Sequence, residues 1–434
     1  MSPELTGIIG IIILLFLIFL QFPVGLALFL VGFLGVMLIS GWDVAVSQLS
    51  TSTFSTVNDY GLSVIPLFVL MGMFMTNTGL GKDLFEAVDK WMGHLRGGLA
   101  MAAIGASSIF AAISGSTNAT TATLGRVAIP EMDHYNYNSS FSASAVAAGG
   151  TLGILIPPSV ILILYGALTS EPIGPLLIAG LIPGLALAFL FMLTINLQVR
   201  INPEKAPRKE EKVSLSSKFS SLNKVWPFLV IFIISIGGIY FGVFTPTEAG
   251  SIGAMATFVL TLLTGKLSFS KLRSSLDEAI RLSVMIFLIL IGATLFGRFL
   301  ALSKIPMQLA ANVSGLEVNA YIIISLILIV YVLLGMFMEG LAIMVLTLPI
   351  VYPIVIELGF DGVWFGVIIV MALNIGLLTP PLGLSVYIIS GILKDTPIEN
   401  IFKGVLPMVI TMLIFTVILI IFPEIVTFVP HLMN

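Results

Sequence analysis

The sequence predicts an all-α, polytopic membrane protein made of two related halves, and three observations predict it. Hydrophobic residues make up 58% of the 434 and charged ones only 9%, with a mean hydropathy of +1.13. Soluble domains carry roughly 25% charged residues. Apolar runs of span length recur along the whole chain, and prolines and glycines return at an offset of 223 residues. The net charge of −3 is gathered into loops and says little about partners. With no cysteine, disulfides and thiolate metal sites are excluded.

Taken in order, candidate spans lie near 5–20, 23–40, 61–79, 140–168, 174–198, 226–244, 248–264, 283–302, 362–391 and 403–422. The first has no basic n-region and flows into the second, so it reads as a span and not a cleaved signal. Segments 41–60 and 81–96 mix charge with Leu, Phe, Val and Trp; they either lie as amphipathic helices in the interface or brace a moving part. Regions 98–127 and 320–352 are each too short for two crossings, at 1.5 Å per residue and about 30 Å of hydrocarbon. Each has a break at its centre, Ser114-Gly115-Ser116-Thr117-Asn118 in one and Met338-Glu339-Gly340 in the other.

Charge decides what these two regions are. The stretch 200–224 holds seven Lys/Arg, and Lys266, Lys271, Arg273 and Arg281 follow two spans later, so both loops are expected in the cytoplasm. Counting back places His134 there too, as do Lys82, Lys90 and Arg96 for their own segment. All the basic loops agree only if 98–127 dips into the membrane and returns as a re-entrant hairpin. The same count puts Lys304, Glu317, Glu357 and Asp361 outside, Lys394 and Lys403 inside, and both termini on the periplasmic face.

Register between the halves is carried by proline and glycine. Pro23 returns as Pro246, Pro130 as Pro353, Gly153 as Gly376, and Pro157-Pro158 as Pro380-Pro381, all at 223. Corresponding loops fall on opposite faces, so the expected architecture is an inverted-topology repeat: 1–199, a basic cytoplasmic linker 200–224, 225–424, and a periplasmic tail 425–434. Scaffold helices are expected at about 1–60 and 226–264, hairpins at about 98–127 and 320–352, and broken helices at about 140–168 and 362–391. The proline pairs sit inside apolar runs, where proline removes a donor and clashes one turn back, so both helices must break and free backbone groups at membrane depth. Matching interruptions in two halves are the best sequence pointer to a transporter's binding site.

The most polar intramembrane run is 114–121, rich in hydroxyls, an amide and helix ends. Oxygen ligands of this kind suit an alkali cation, and a half-helix N-terminus suits a carboxylate, whereas the bland alternative is close helix packing by small residues. Glu339 is an ionisable group inside the membrane, either an ion ligand or a carboxylate fastening the second tip. Asn374, Thr379 and the carbonyls before Pro380 complete a second pocket, which implies two cation sites with substrate between them. Substrate would then meet Gly115, Thr117 and the pairs Pro157-Pro158 and Pro380-Pro381. Arg298 and Arg126 either attract an anion or snorkel to the interface, and Glu248 reads as helix capping. No nucleotide loop, metal-binding His pair or nucleophile with its base is present, so no enzyme is expected and an ion gradient or another subunit must drive transport.

The motifs Thr245-Pro246-Thr247-Glu248-Ala249, the run 149–158 with its Ile-Pro-Pro, Gly376-Leu377-Leu378-Thr379-Pro380-Pro381-Leu382-Gly383, the Gly-x-x-Pro-Gly of 180–184 and Phe365-Gly366 resemble the large membrane subunit of tripartite ATP-independent periplasmic (TRAP) transporters. The resemblance covers nearly the whole chain. It implies a sodium-coupled importer of small carboxylates such as C4-dicarboxylates or sialic acid in a bacterial inner membrane, with no organic cofactor and no nucleic acid. It also implies an elevator with an architecture like the ion-transporter superfamily, a separate small four-helix subunit and a periplasmic solute-binding protein. Carried over by motif, sodium ligation falls on Ser114, Ser116 and Asn118 with Gly150 and Thr151, and on Gly335, Glu339, Asn374, Gly376 and Thr379. Trp364 stands where a histidine is common, and Asp133-His134-Tyr135-Asn136 replaces a loop that is usually basic. Two other readings compete: a self-sufficient sodium–dicarboxylate symporter, and a channel-like membrane protein.

Overall fold

The computed structural model describes residues 2–208, 214–314 and 318–433; Glu317, expected outside, lies beyond the described residues. Among the described residues there are 21 α-helices and no strand. The first half comprises α1 (Pro3–Phe19), α2 (Val24–Ser40), α3 (Trp42–Val57), α4 (Val64–Asn77), α5 (Leu80–Met92), α6 (Gly98–Ser114), α7 (Thr117–His134), α8 (Ser139–Thr151), α9 (Val160–Thr169) and α10 (Ile173–Ile201). The linker holds α11 (Leu215–Leu222). Then come α12 (Trp226–Tyr240), α13 (Pro246–Leu263), α14 (Phe269–Ser303), α15 (Ile305–Ser314), α16 (Ala320–Gly335), α17 (Gly340–Glu357), α18 (Gly362–Leu378), α19 (Leu384–Ile392), α20 (Ile398–Ile421) and α21 (Glu424–His431).

Among the described residues α10, α14, α17, α20 and the continuous stretch Tyr60–Asn77 that contains α4 are long and apolar enough to cross a bilayer, with a sixth if the bent pair α11–α12 counts as one, and six further apolar helices are 10–17 residues long. Helix starts follow local chemistry. Thr245 and Glu248 form a reciprocal capping box at α13, with the Thr245 amide 2.8 Å from Glu248 Oε2 and the Glu248 amide 3.3 Å from Thr245 Oγ1, so Glu248 is a cap. Ser116, Asn138, Ser159 and Asp361 cap α7, α8, α9 and α18 one way only, their side-chain oxygens each accepting from a first-turn backbone amide.

The helix order α6 to α10 is repeated by α16 to α20, their first residues 222 to 225 positions apart. Both expected interruptions are present. Between α8 and α9 the chain passes through a 3-10 turn, and between α18 and α19 through 379–383; Pro157-Pro158 and Pro380-Pro381 are cis in both. Freed carbonyls find hydroxyls, Ser159 donating to the Ile154 carbonyl at 2.6 Å and Thr379 to the Ile375 carbonyl at 2.6 Å.

One element departs from the expected spans. Helix α14 is 35 residues long, about 52 Å at 1.5 Å per residue, so the apolar stretch 283–302 is only part of it. Its counterpart in the first half is divided into α3 and α4 because Asn58 ends one helix and Asp59 captures the Gly61 amide at 2.8 Å, opening a 3-10 turn. At the corresponding position α14 has no breaker, and its charged first third simply continues the helix. Helix α2 lies tightly along α14: a Cβ at Gly32 would stand 2.6 Å from the Phe296 amide nitrogen, and one at Gly35 would enter the Phe299 ring.

The feet of the two hairpins lie at opposite ends of α10. At one end the Leu99 amide donates to Tyr137 Oη at 3.4 Å, joining the start of α6 to the loop after α7, and the Asn138 amide donates to the Lys205 carbonyl at 2.9 Å just beyond α10. Basic segments gather here: Arg208 Nε donates to the His94 carbonyl, Lys224 pairs with Glu86 and Asp83, and Lys266 pairs with Asp83. Beside the other end of α10, Tyr352 donates to Glu171 at 2.5 Å and Tyr165 to the Gly362 carbonyl at 2.6 Å. With 29 residues, α10 separates these ends by about 44 Å, more than the hydrocarbon core.

Candidate functional site between two hairpin tips

Helix α6 ends on Gly115, whose φ of +60° suits glycine, and a Cβ there would strike the Pro158 carbonyl oxygen. Gly153 brings the broken helix equally close, since a Cβ on it would lie 2.6 Å from the Ser116 carbonyl carbon. The first tip is thus packed backbone to backbone on the α8–α9 break. Its hydroxyls form a small network: Thr120 donates to the Ser116 carbonyl at 2.8 Å, Ser114 and Thr120 lie 3.0 Å apart, and the Ala119 amide reaches Ser116 Oγ at 3.3 Å. Thr121 is fully buried against Gly150 and its hydroxyl has no partner; the Thr117 hydroxyl has none either. Thr151 turns inward, donating to the Ala148 carbonyl at 2.7 Å.

The second tip, 336–339, repeats this packing with different chemistry. Gly335 and Gly376 touch: a Cβ on Gly376 would stand 2.6 Å from Gly335 Cα. Next to it Asn374, the counterpart of Thr151, is wholly buried, and neither its oxygen nor its nitrogen has a hydrogen-bond partner. A buried amide normally finds one. Glu339 precedes α17 without capping it, and no donor reaches its carboxylate among the described residues. Of the two sequence readings of Glu339, fastening the tip is therefore not what the geometry shows; its carboxylate faces the cavity.

That cavity, about 120 Å³, lies between the tips. Ser116, Thr117, Asn118 and Glu339 form its polar wall, with Gly115 and Gly340 beside them, and Ile161, Leu282 and Leu377 are among its apolar lining. Five of the predicted residues thus share one wall: Gly115, Ser116, Thr117, Asn118 and Glu339. Behind the first tip stand Ser114, Gly150 and Thr151; at the second break stand Gly335, Asn374, Gly376 and Thr379. Pro157 and Pro158 are buried behind the first tip and shape it without lining the cavity, while Pro380 and Pro381 are exposed at the second break, also outside the lining. Arg298 is exposed on α14, sixteen residues and about 24 Å of helix beyond Leu282, and does not line this cavity.

Thr120 and Thr121 belong to the polar run visible in the sequence, yet nothing there separates the hydroxyl that bonds the tip from the one left open. The apolar wall is not legible in the sequence, because Leu282 and Leu377 are indistinguishable there from lipid-facing leucines. Helix α5 buries Leu80, Leu84 and Phe85, and Gly81 meets Thr123 of α7, so segment 81–96 braces the first hairpin. The oxygen-rich donor set fits a hard cation, and no group of three His, Cys, Asp or Glu occurs among the described residues.

Broken helices, paired hairpins and a cavity with one polar wall within an apolar bundle define a membrane transporter. Residues 11–425 match the family described as tripartite ATP-independent periplasmic transporter, DctM component, and the chain belongs to that family. It is 37% identical over 388 residues to the C4-dicarboxylate TRAP transporter large permease protein DctM of Pseudomonas aeruginosa, covering 89% of this chain and 90% of that one. It is 32% identical to the sialic acid TRAP transporter large permease protein SiaM of Vibrio cholerae, covering 96% of each. Among solved structures, the Alcanivorax borkumensis YdaH transporter shares the fold, with a TM-score of 0.66 and 14% identity over 88% of this chain and 89% of that one. The protein is accordingly a multi-pass TRAP large permease and not an enzyme.

Proposed function

We propose that this permease imports a small organic acid, such as a C4-dicarboxylate or sialic acid, across the bacterial inner membrane by coupling it to sodium. The observation that carries this reading is the pair of hairpin tips facing one cavity, with the unpartnered Asn374 behind one and the open Thr121 hydroxyl behind the other. Buried polar oxygens behind each tip, on either side of one cavity, are where two cations would sit to attract an acid between them. Each cation entering gains about 2.3 kcal/mol per 100 mV of membrane potential, so one or two ions suffice for steep uptake.

The two halves act as an inverted repeat in this reading, with both termini in the periplasm and the linker in the cytoplasm. A transport unit of α6–α9 and α16–α19 moves as an elevator against a scaffold that includes α1–α4 and α12–α14. The glycine-stitched seam of α2 on α14 supports a rigid scaffold. The family is tripartite and its relatives are large permeases, which supports a separate small membrane subunit and a periplasmic binding protein as partners.

Reconstitution tests this directly. Uptake into proteoliposomes is expected to need inward sodium, the small subunit and the loaded binding protein together. Uptake by this chain alone with sodium would identify a self-sufficient symporter, and sodium-independent flux a channel.

A further inference from the structure

We infer that the linker helix α11 is a docking surface for anionic lipid at the basic end of the bundle. Three observations carry this. First, α11 bends 52° from the axis of α12, so it turns away from the spanning direction at the edge of the apolar zone. Second, Leu215 and Phe219, one turn apart on one face, are 71% and 61% exposed, and the Phe219 ring meets Trp91 edge-on at 5.5 Å between centroids. Exposed Trp226 follows at the start of α12, the amphipathic residue type that settles at headgroup level.

Third, three basic side chains near this face have no acidic partner among the described residues. Lys224 and Lys266 are taken by Asp83 and Glu86, but Lys205, Arg208 and Lys218 face no acidic partner among the described residues. Lys205 reaches Gln198 at 3.5 Å, Arg208 spends one N–H on the His94 carbonyl, and Lys218 lies 5.9 Å over the Trp91 ring. Segment 200–224 has seven Lys/Arg against three Glu. An apolar pair inserted among acyl chains beside free cations fits a phosphodiester headgroup, which attracts basic side chains near a bilayer surface. The inference rests on the chain being a membrane permease and is independent of sodium coupling.

Because the chain has no cysteine, Ser216→Cys gives one site for an environment-sensitive fluorophore on α11. The labelled protein is placed in nanodiscs, alone and assembled with its small subunit, with brominated phosphatidylglycerol or brominated phosphatidylcholine at equal mole fraction. Phosphatidylglycerol is expected to quench the label the more strongly. Replacing Arg208 and Lys218 by Gln should lower its apparent affinity about fivefold per side chain, leaving phosphatidylcholine unaffected. Leu215→Ser with Phe219→Ser should remove quenching by both lipids without changing the thermal midpoint. Free glycerol phosphate should not compete. Equal quenching by the two lipids, quenching by neither, or its loss on adding the small subunit overturns the proposal, the last assigning the face to a protein.

Discussion

Asn374 is the residue whose environment makes least sense without a ligand. Burying an amide with neither end satisfied costs about 1–3 kcal/mol. Asn374→Leu, nearly the same size, should therefore leave the sodium-free protein as stable or more so, while removing part of the stabilisation that sodium gives. A bound ion at one hundred times its Kd contributes about 2.7 kcal/mol. Thermal melts with and without sodium check this; an unchanged sodium-dependent shift would take Asn374 out of the site. Asn118→Ala and Thr379→Ala should each weaken sodium-dependent uptake with insertion intact, read from sodium titrations of initial rate. Normal sodium affinity in both would remove these two ligands.

Between elements, close approach decides what can be changed. Gly376→Ala puts a methyl group into Gly335, and overpacking of this kind costs about 1–3 kcal/mol. A loss of melting temperature with Gly376→Ala, set against an unaffected Gly237→Ala where nothing lies within 4 Å, would confirm that the hairpin is seated on the broken helix. At the basic end, Asp83 is the hub joining α5 to Lys224 before α12 and to Lys266 before α14. Glu86 and Asp83 hold the Lys224 ammonium above the usual lysine pKa, Glu86 more strongly. Only 16% of the Asp83 side chain is exposed, against 71% for Lys82. Exposed pairs contribute about 0–1 kcal/mol. Asp83→Asn should therefore destabilise more than Lys82→Gln in denaturation curves, by a margin that shrinks in high salt.

Across the whole molecule, the features most legible in the sequence were those with strong local causes. Proline pairs inside apolar runs forced the breaks at 152–159 and 379–383, and Thr245 with Glu248 announced the start of α13. The second hairpin is expected from the sequence because region 320–352 is too short for two crossings and Met338-Glu339-Gly340 breaks it at its centre. Less legible was whatever depends on long-range packing. Nothing near Phe269 told that α14 would carry its charged turns as one helix, and no local signal distinguished the cavity wall of Ile161, Leu282 and Leu377 from lipid-facing surface. In the sequence Arg298 is a lone cation at the edge of an apolar run, which leaves open both a counter-charge for an acid and a side chain snorkelling to the interface. Its distance along α14 from Leu282 could be measured only once that helix was seen to be continuous.

In the proposed topology the two hairpins enter the membrane from opposite faces, so that their tips meet around one cavity. Single cysteines at His134 and Glu357, both exposed in loops or helix ends beside the hairpin feet, test it in a chain that has no other thiol. Labelling whole cells with a membrane-impermeant maleimide should modify Glu357→Cys from outside and leave His134→Cys untouched until the membrane is opened. Labelling of both from the same side would contradict the account.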